Sequence, residues 1–189
     1  MCEEWGGEVV ARWRKGDDLA SLQAAAQNAS AMADVIVSIG GASVGEKDFA
    51  KQSFTTLGFG LSFEKVAIKP GKPVWFGARG PVLVMGLPGN PTSAMVTARL
   101  FLAPLLAGMS GRGCDAAWNW HEMRIGRPLD AGDTRECFLR ASALSDMVEP
   151  VSDQDSASQN ALALATHLIR RRAGASPIAP GATVETLAL

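Results

Sequence analysis

The sequence predicts an α/β domain, built on an open, mostly parallel sheet with flanking helices, followed by a small β-barrel-like domain. Short apolar runs alternate with helix-like segments over residues 1–110, a pattern typical of strands joined by crossover helices. Two of these runs stop at glycine-rich breaks, where a ligand can approach the backbone closely. Beyond residue 110 only short strand-like runs remain. We therefore expect two domains, over residues 1–110 and 111–189.

Each predicted element follows from a local signal. In the first domain, β-branched or alternating runs predict strands over residues 8–13, 35–39, 61–67, 73–77 and 82–85. Helices are predicted over residues 17–32, capped by Asp17 or Asp18, over 48–57, closed by Gly58, and over 92–109, bent or divided at Pro104. In the second domain we expect strands over residues 118–125, 136–143 and 183–187, with one helical turn over 161–165.

Composition excludes several classes of protein. The net charge is −1, which provides no long-range attraction for nucleic acid. No uninterrupted apolar run reaches the roughly 18 residues that span a bilayer, so we expect no membrane partner. The acidic start MCEEWGGEVV lacks the basic and apolar parts of a signal peptide. We expect a cytoplasmic protein whose three cysteines are free thiols.

Several aromatic and basic side chains predict structure rather than chemistry. Trp118 and Trp120, two residues apart, are expected to share one face of a strand and to fill a core or interface. The three arginines at 170–172 predict a solvated edge of the sheet. His121 and His167 have no evident partner, and without a cysteine pair they do not predict a zinc site.

The first glycine-rich break follows the apolar run VIVSI and reads GGASVG. It is either a tight turn or a loop that holds an anion over the following helix, and it lacks the Gly-Lys-Ser/Thr of a phosphate-binding P-loop. Asp48 and Asp17 fall at the starts of two helices, where a carboxylate caps free amides. If the sheet brings both to one rim, two hard oxygen donors would also suit Mg²⁺.

Lysines and prolines mark two further loops. Lys65, Lys69 and Lys72 alternate with apolar residues and prolines, which describes either ordinary surface lysines or a rigid clamp for an anion. In the second break, LPGNP, prolines fix the backbone and Gly89 permits close approach, while Asn90 either caps the helix or bonds a ligand. These loops are expected beyond the carboxyl ends of parallel strands, where α/β sheets bind ligands.

Three segments in order, DVIVSIGGASVGEKDF, KVAIKPGKPVWFG and GLPGNPTSAMVTARLF, resemble the molybdopterin molybdenumtransferases, the MoeA and gephyrin E-domain family. The likeness extends to the end of the chain, because ECFLRASAL and APGATVETLAL are similar to the family's small C-terminal β domain. The resemblance implies a MogA-like, molybdopterin-binding α/β domain that lacks its first strand. It also implies that the chain begins after two further N-terminal domains.

What the family implies is insertion of molybdate into adenylylated molybdopterin, with Mg²⁺ present and AMP released. On matching positions, Asp48 and Asp17 would be the catalytic acids and the Mg²⁺ ligands. The matching substrate-binding positions are Gly40, Gly41, Ser43, Gly45, Lys65, Lys69, Lys72, Pro88, Gly89, Asn90, Pro91 and Ser93. The resemblance further implies a homodimer and contact with other proteins of molybdenum cofactor synthesis.

Three functional hypotheses remain open at this point. The first is an enzyme of molybdenum cofactor synthesis, or the ligand-binding portion of one. The second is a noncatalytic protein that binds molybdopterin or serves as a scaffold. The third is a domain like the molybdopterin adenylyltransferases, against which the loop GGASVGEKD and the trailing β domain argue. Turnover with release of AMP distinguishes the first from the second.

Overall fold

The apolar run VIVSI forms the first strand, as the sequence predicts, in a computed structural model that describes residues 1–16, 18–41, 49–156 and 159–189. The chain divides into two units, one of residues 1–66 and 71–98 and the other of residues 67–70 and 99–189. The helices are α1 (Leu19–Ser30), α2 (Phe49–Thr56), α3 (Pro91–Thr97), α4 (Ala103–Met109) and α5 (Gln159–Ala163). The strands are β1 (Val35–Ile39), β2 (Gly60–Phe63), β3 (Ile68–Lys69), β4 (Trp75–Arg79), β5 (Val82–Leu87), β6 (His121–Ile125), β7 (Glu136–Leu144), β8 (Met147–Pro150), β9 (His167–Arg171) and β10 (Thr183–Ala188).

The first unit contains a four-stranded sheet in the order β1-β5-β4-β2, and the predicted α/β class is confirmed. In this sheet, β1 and β5 pair in parallel, whereas β5–β4 and β4–β2 are antiparallel. The expectation of a mostly parallel sheet therefore does not hold for these strands. The reason is local, because β4 and β5 are joined by the two residues Gly80 and Pro81, and such a short connection can join only antiparallel neighbours.

Two predictions near the N-terminus have different outcomes. Asp18 caps α1, since its Oδ2 accepts a hydrogen bond from the Ser21 N–H at 2.8 Å. Residues 8–13, by contrast, form no strand. Their alternating pattern satisfies strand propensity, but a strand also needs a neighbouring strand, and no described strand pairs with this run.

Aromatic side chains form the core of the first unit. The Phe54 ring packs edge-on against Phe59 at 5.3 Å between centroids and against Trp75 at 5.8 Å. Trp75 is completely buried in β4, directly opposite Gly86 of β5. A Cβ atom built on Gly86 would overlap the Trp75 indole. The absence of a side chain at Gly86 is therefore what makes room for the largest residue of this core.

A regular α-helical pattern does not continue through residues 91–109. A five-residue π-helical segment, Ala98–Leu102, separates α3 from α4, and Pro104 lies in the first turn of α4, where a division was predicted. Pro104 has no N–H to donate to the carbonyl of Leu100. The Trp118 indole Nε1–H donates to that carbonyl instead, at 2.9 Å. Trp118 thus satisfies a backbone acceptor that the proline leaves free, rather than sharing a strand face with Trp120, because β6 begins only at His121.

The same helical stretch, Pro91–Met109, has a length and apolar composition that would allow it to cross a membrane, contrary to our expectation from the sequence. However, 61% of its apolar window is buried inside the protein, as in the core helices of many proteins without a membrane segment. Arg99 lies within it and is largely buried. Its guanidinium donates to the carbonyls of Ala188 and Ala117, and burial lowers its pKa.

The second unit contains a closed five-stranded barrel, which confirms the predicted β-barrel-like domain. The strands follow the order β7-β8-β6-β10-β9, and the pairing of β9 with β7 closes the circle. The short strand β3 adds to β7 in parallel. The barrel interior is filled by a cluster of apolar side chains: Ile125, Leu129, Ala141, Val148, Ile169 and Val184.

The three consecutive arginines are not a uniform solvated edge. Arg171 is 5% exposed, and its Nη2 donates to the carbonyls of Asp130 and Ser176, both at 2.8 Å. Arg170 and Arg172 instead form ion pairs with Glu185. Successive side chains of a strand point to opposite faces, so the prediction was wrong for Arg171, which β9 directs inward.

Substitution of Gly86 by alanine should lower the free energy of unfolding by about 1–3 kcal/mol or more, because the new methyl group displaces the buried Trp75 ring. Gly60→Ala is the matched control, since a Cβ there meets only the Ala78 carbonyl at 3.9 Å. Urea denaturation of both variants measures the difference. Equal effects at the two positions would contradict the steric argument.

Trp118→Phe should lower the free energy of unfolding by about 1–3 kcal/mol, because it leaves the carbonyl of the buried Leu100 without a donor. Trp120→Phe is the control, since that indole stacks against Phe138 and Arg170 and phenylalanine keeps an aromatic face there. Thermal unfolding followed by calorimetry should show the larger shift for Trp118→Phe. A larger loss in the control would refute the role of the hydrogen bond.

Candidate functional site

The two glycine-rich breaks meet at the carboxyl ends of β1 and β5. Ile39 and Leu87 are paired at the ends of these parallel strands, and the Gly40 N–H donates to the Leu87 carbonyl at 3.1 Å. Gly89 lies so close that a Cβ built on it would be 3.2 Å from the Gly40 Cα. The two backbones are therefore in contact, and a side chain at Gly89 would require the Gly40 backbone to shift by a few tenths of an ångström.

The first break also fits closely against the next helix. Gly40 and Gly41 have φ angles of 88° and 71°, in the left-handed region that favours glycine. A Cβ on Gly41 would lie 2.9 Å from the Cβ of Ala50 in the first turn of α2. Backbone conformation and close packing thus both require glycine at position 41. This agrees with the interpretation of the GGASVG break as a tight turn. That requirement is compatible with a ligand but does not by itself demonstrate one.

At the second break, Asn90 caps helix α3. Its Oδ1 accepts a hydrogen bond from the Ser93 N–H at 3.0 Å, and Pro91 occupies the first helical position. Of the two roles that the sequence predicted for Asn90, a helix cap or a bond to a ligand, the cap is the one observed. Pro88 and Ser93 are buried, whereas Gly89 and Pro91 are exposed. The accessible part of this loop is therefore backbone rather than polar side chain.

Thr92 is a residue of this loop that the sequence analysis did not select. Its side chain is completely buried, and its Oγ1 has no hydrogen-bond partner among the described residues. Buried hydroxyls are seldom unpaired, so this one distinguishes the LPGNPT segment from an ordinary helix start. The local sequence does not indicate whether a buried threonine hydroxyl will find a hydrogen-bond partner, because that depends on its neighbours in the folded structure.

Four of the predicted site residues lie outside the described residues: the two proposed catalytic acids and two residues of the first loop. They are Asp17, Asp48, Ser43 and Gly45. Their assignment to catalysis, to Mg²⁺ and to substrate remains a prediction. Within the described ranges, no group of three or more histidine, cysteine, aspartate or glutamate side chains is arranged to hold a metal ion.

The three predicted lysines are divided between the two units. Lys65 and Lys72 belong to the first unit and are exposed, and the Val66 N–H donates to the Lys72 carbonyl at 3.0 Å, which closes the loop between them. Lys69 belongs to the second unit, where β3 pairs with β7. It precedes Pro70 through a cis peptide bond. The sequence alone did not indicate this division.

Lys69 already has a partner within its own unit. Its Nζ lies 3.1 Å from Oδ2 of Asp133, in an ion pair that spans 64 residues of sequence. Hydrogen bonds from Lys69 and from Thr134 lower the pKa of the Asp133 carboxyl from its ordinary 3.8 to about 2. Asp133 was not selected from the sequence, because it lies in an irregular segment without any periodic signal.

A cavity of about 570 Å³ opens beside this ion pair in the second unit. Its lining includes Lys69, Asp133, Cys137 and the buried Arg171. The Arg171 guanidinium donates to the carbonyls of Asp130 and Ser176, and burial raises the pKa of the Cys137 thiol, which keeps the thiol neutral. Lys69 is paired with Asp133, and Arg127, also in the lining, is paired with Glu149 at 3.1 Å. The charges of this cavity are therefore largely compensated by neighbours within the second unit.

Asp133→Asn should remove an acid-sensitive contribution to stability. Because the pKa of Asp133 is lowered on folding from 3.8 to about 2, its ionised form stabilises the fold above pH 3.8, and this contribution is lost as the pH falls toward 2. The unfolding midpoint of the unmodified chain should thus fall more steeply over this range than that of Asp133→Asn. Asp115→Asn, at an exposed position, is the control. Parallel curves for all three proteins would contradict the assignment.

Comparison with known proteins agrees with the resemblance seen in the sequence. Residues 1–108 match the family model described as "Probable molybdopterin binding domain". A molybdopterin molybdenumtransferase of Haemophilus influenzae is 43% identical over 112 residues, which is 59% of this chain and 28% of that protein. The molybdopterin molybdenumtransferase of Synechococcus elongatus is 33% identical over 191 residues, covering 97% of this chain and 46% of that protein.

Solved structures show the same relationship. A molybdopterin biosynthesis MoeA protein from Pyrococcus horikosii superposes with a TM-score of 0.82 and 27% identity, covering 98% of this chain and 45% of that one. This likeness extends through both units. The chain nevertheless spans less than half the length of each of these three relatives.

Proposed function

The chain belongs to the molybdopterin-binding domain family of molybdenum cofactor synthesis, and we propose that it inserts molybdate into adenylylated molybdopterin with release of AMP. One observation carries this proposal above the others. The glycine loops after β1 and β5 meet at the ends of parallel strands, with Gly40 and Gly89 in backbone contact. Parallel sheets bind ligands at such a crevice, where close-packed glycines let phosphate groups reach backbone donors.

In this proposal, the exposed backbone of Gly89 and the loop over residues 40–45 contact the pterin-phosphate end of the substrate. Lys65, Lys69 and Lys72 contact phosphate or molybdate. Asp48 and Asp17 hold Mg²⁺, a hard ion that prefers carboxylate oxygen and that would neutralise phosphate charge when bound. In the overall reaction, the two dithiolene sulfurs replace two oxygens of molybdate, which leave as water, and a water molecule cleaves the phosphate–phosphate bond, so that AMP leaves and the pterin keeps its own phosphate.

The charge on Lys69 supports its role in a specific way. An ammonium group already paired with Asp133 is held in place, so less conformational entropy is lost when an anion binds. The proposal also includes the family's homodimer, a cytoplasmic location and contact with other proteins of cofactor synthesis.

A second candidate function is a noncatalytic molybdopterin-binding or scaffold protein. The observation that favours it is the second glycine-rich loop, where Gly89 is exposed and the Asn90 side chain already caps α3. The described residues of this loop therefore offer backbone contacts rather than a catalytic side chain. Binding without turnover is what this alternative predicts.

Lys69→Ala should weaken molybdopterin binding by about 1–3 kcal/mol, because a charge-assisted contact is lost. Calorimetric titration of the whole chain measures this change, with exposed Lys15→Ala as the control. Unchanged affinity in Lys69→Ala would remove this lysine from the site.

In a reconstituted assay with adenylylated molybdopterin and molybdate, Asp48→Ala should abolish release of AMP while binding is largely kept. Tight binding by the unmodified chain without any AMP release would favour the scaffold, and the absence of binding would overturn both functions.

A further inference from the structure

The only two histidines of the chain, which the sequence left without partners, lie together at one end of the barrel. His121 begins β6 and His167 begins β9, and the strand between them is β10. In β10, Thr186 is paired with His121 and Ala188 with His167. Residues two apart in a strand face the same side of the sheet, so both imidazoles share one face. Their ring centroids are 5.4 Å apart, in an edge-to-face arrangement.

The hydrogen bond of the His121 ring fixes which of its nitrogens is available, and the His167 ring also has a local partner. Nδ1 of His121 lies 3.3 Å from the carbonyl of Asn119, which can only accept, so Nδ1 carries the proton and Nε2 the lone pair. Nδ1 of His167 lies 2.9 Å from Oγ1 of Thr166, a hydroxyl that also accepts from the Ala143 N–H. Both Nδ1 atoms therefore have local partners. Metal-binding histidines use such outer contacts to hold the ring while the other nitrogen binds the ion.

The two rings differ in exposure, since His167 is half-buried. His121 is exposed, so an ion can reach the pair from solvent.

We propose that His121 and His167 bind one divalent transition-metal ion through their Nε2 atoms, with water completing the coordination shell. Two imidazoles held about 2.0–2.1 Å from one tetrahedral ion place their ring centroids about 5 Å apart. The observed 5.4 Å is close to that separation. Binding requires the rings to turn about their Cβ–Cγ bonds from the edge-to-face arrangement to a convergent one, and the backbone positions stay as they are.

The chemistry of the donors selects the class of ion. Imidazole nitrogen suits Zn²⁺, Ni²⁺ and Cu²⁺, with affinity rising from Ni²⁺ to Cu²⁺, whereas Mg²⁺ prefers oxygen ligands. This site is therefore chemically distinct from the proposed Mg²⁺ and molybdate sites. It does not depend on the function proposed above, because both ligands belong to the barrel.

The experiment uses the full chain without a histidine tag, in a Cys2→Ser and Cys114→Ser background that removes the cysteines not buried in the fold. Calorimetric titration with Ni²⁺ should show one equivalent bound at the histidine pair, and prior saturation with Mg²⁺ should leave this binding unchanged. Loss of an outer partner alone costs a metal site about 10- to 100-fold in affinity, and His121→Gln and His167→Gln each remove a ligand itself, so each should weaken Ni²⁺ binding by about ten-fold or more. The double variant should bind Ni²⁺ no more tightly than nonspecific surface groups do.

Glu122→Gln is the matched control, because Glu122 follows His121 in β6 and faces the opposite side of the strand. Its affinity for Ni²⁺ should be unchanged. Imidazole resonances followed by NMR during Zn²⁺ titration should move for both histidines together. No binding by the parent chain, equal binding by the histidine variants, or an equal loss in Glu122→Gln would each overturn the proposal. Circular dichroism of every variant separates loss of the site from loss of the fold.

Discussion

The parallel pairing of β1 with β5 is the constraint on which the candidate site depends. This pairing brings Ile39 and Leu87 side by side, so the segments that follow them leave the sheet at the same edge. Gly40 and Gly89 then approach to backbone contact. Gly41 fits closely against Ala50 in the first turn of α2, and the Asn90 cap fixes the start of α3. The described residues at this edge therefore pack closely around the ends of β1 and β5.

Burial of arginine is the corresponding constraint in the second unit. Arg99, Arg140 and Arg171 are each at least nine-tenths buried. Each donates to backbone carbonyls, which satisfies the fork of the guanidinium without a buried carboxylate. Arg99 and Arg171 thereby connect segments that are distant in sequence, and Arg140 holds the irregular segment around Asp153 and Asp155. Replacement of any of them by an apolar residue would leave several carbonyls unpaired, so these arginines are structural rather than interchangeable surface charges.

The pairing of Lys69 with Asp133 changes how the predicted anion clamp is understood. A clamp built from three equivalent surface lysines would rely on flexible, fully hydrated charges. Lys69 is instead oriented by the Asp133 carboxylate, whose pKa is lowered to about 2 by hydrogen bonds from Lys69 and Thr134, so that this carboxylate stays ionised over the physiological range. A charge held in this way can contact an anion with little loss of conformational freedom, although it must share its donors with Asp133. Lys65 and Lys72 remain exposed and are adjacent through the closed loop.

The sequence by itself determined several local elements, the family and the fold classes. Strand β1, the helix cap at Asp18, the break before Pro104 and the glycine-rich ends of β1 and β5 follow from backbone preferences of a few neighbouring residues. The family and the α/β and barrel classes followed from motifs in fixed order. These features were predictable because their physical causes act within a few residues of one another.

Only the tertiary structure decided which residues meet. It paired β4 and β5 as antiparallel neighbours, left residues 8–13 without a strand and turned Arg171 inward between two outward arginines. It also placed Asp133 against Lys69, 64 residues away, and brought His121 to His167 across β10. Such contacts depend on strand order and barrel closure, which result from the packing of the whole core. A sequence pattern indicates the conformational preference of each residue, but not which residue it will contact in the folded structure.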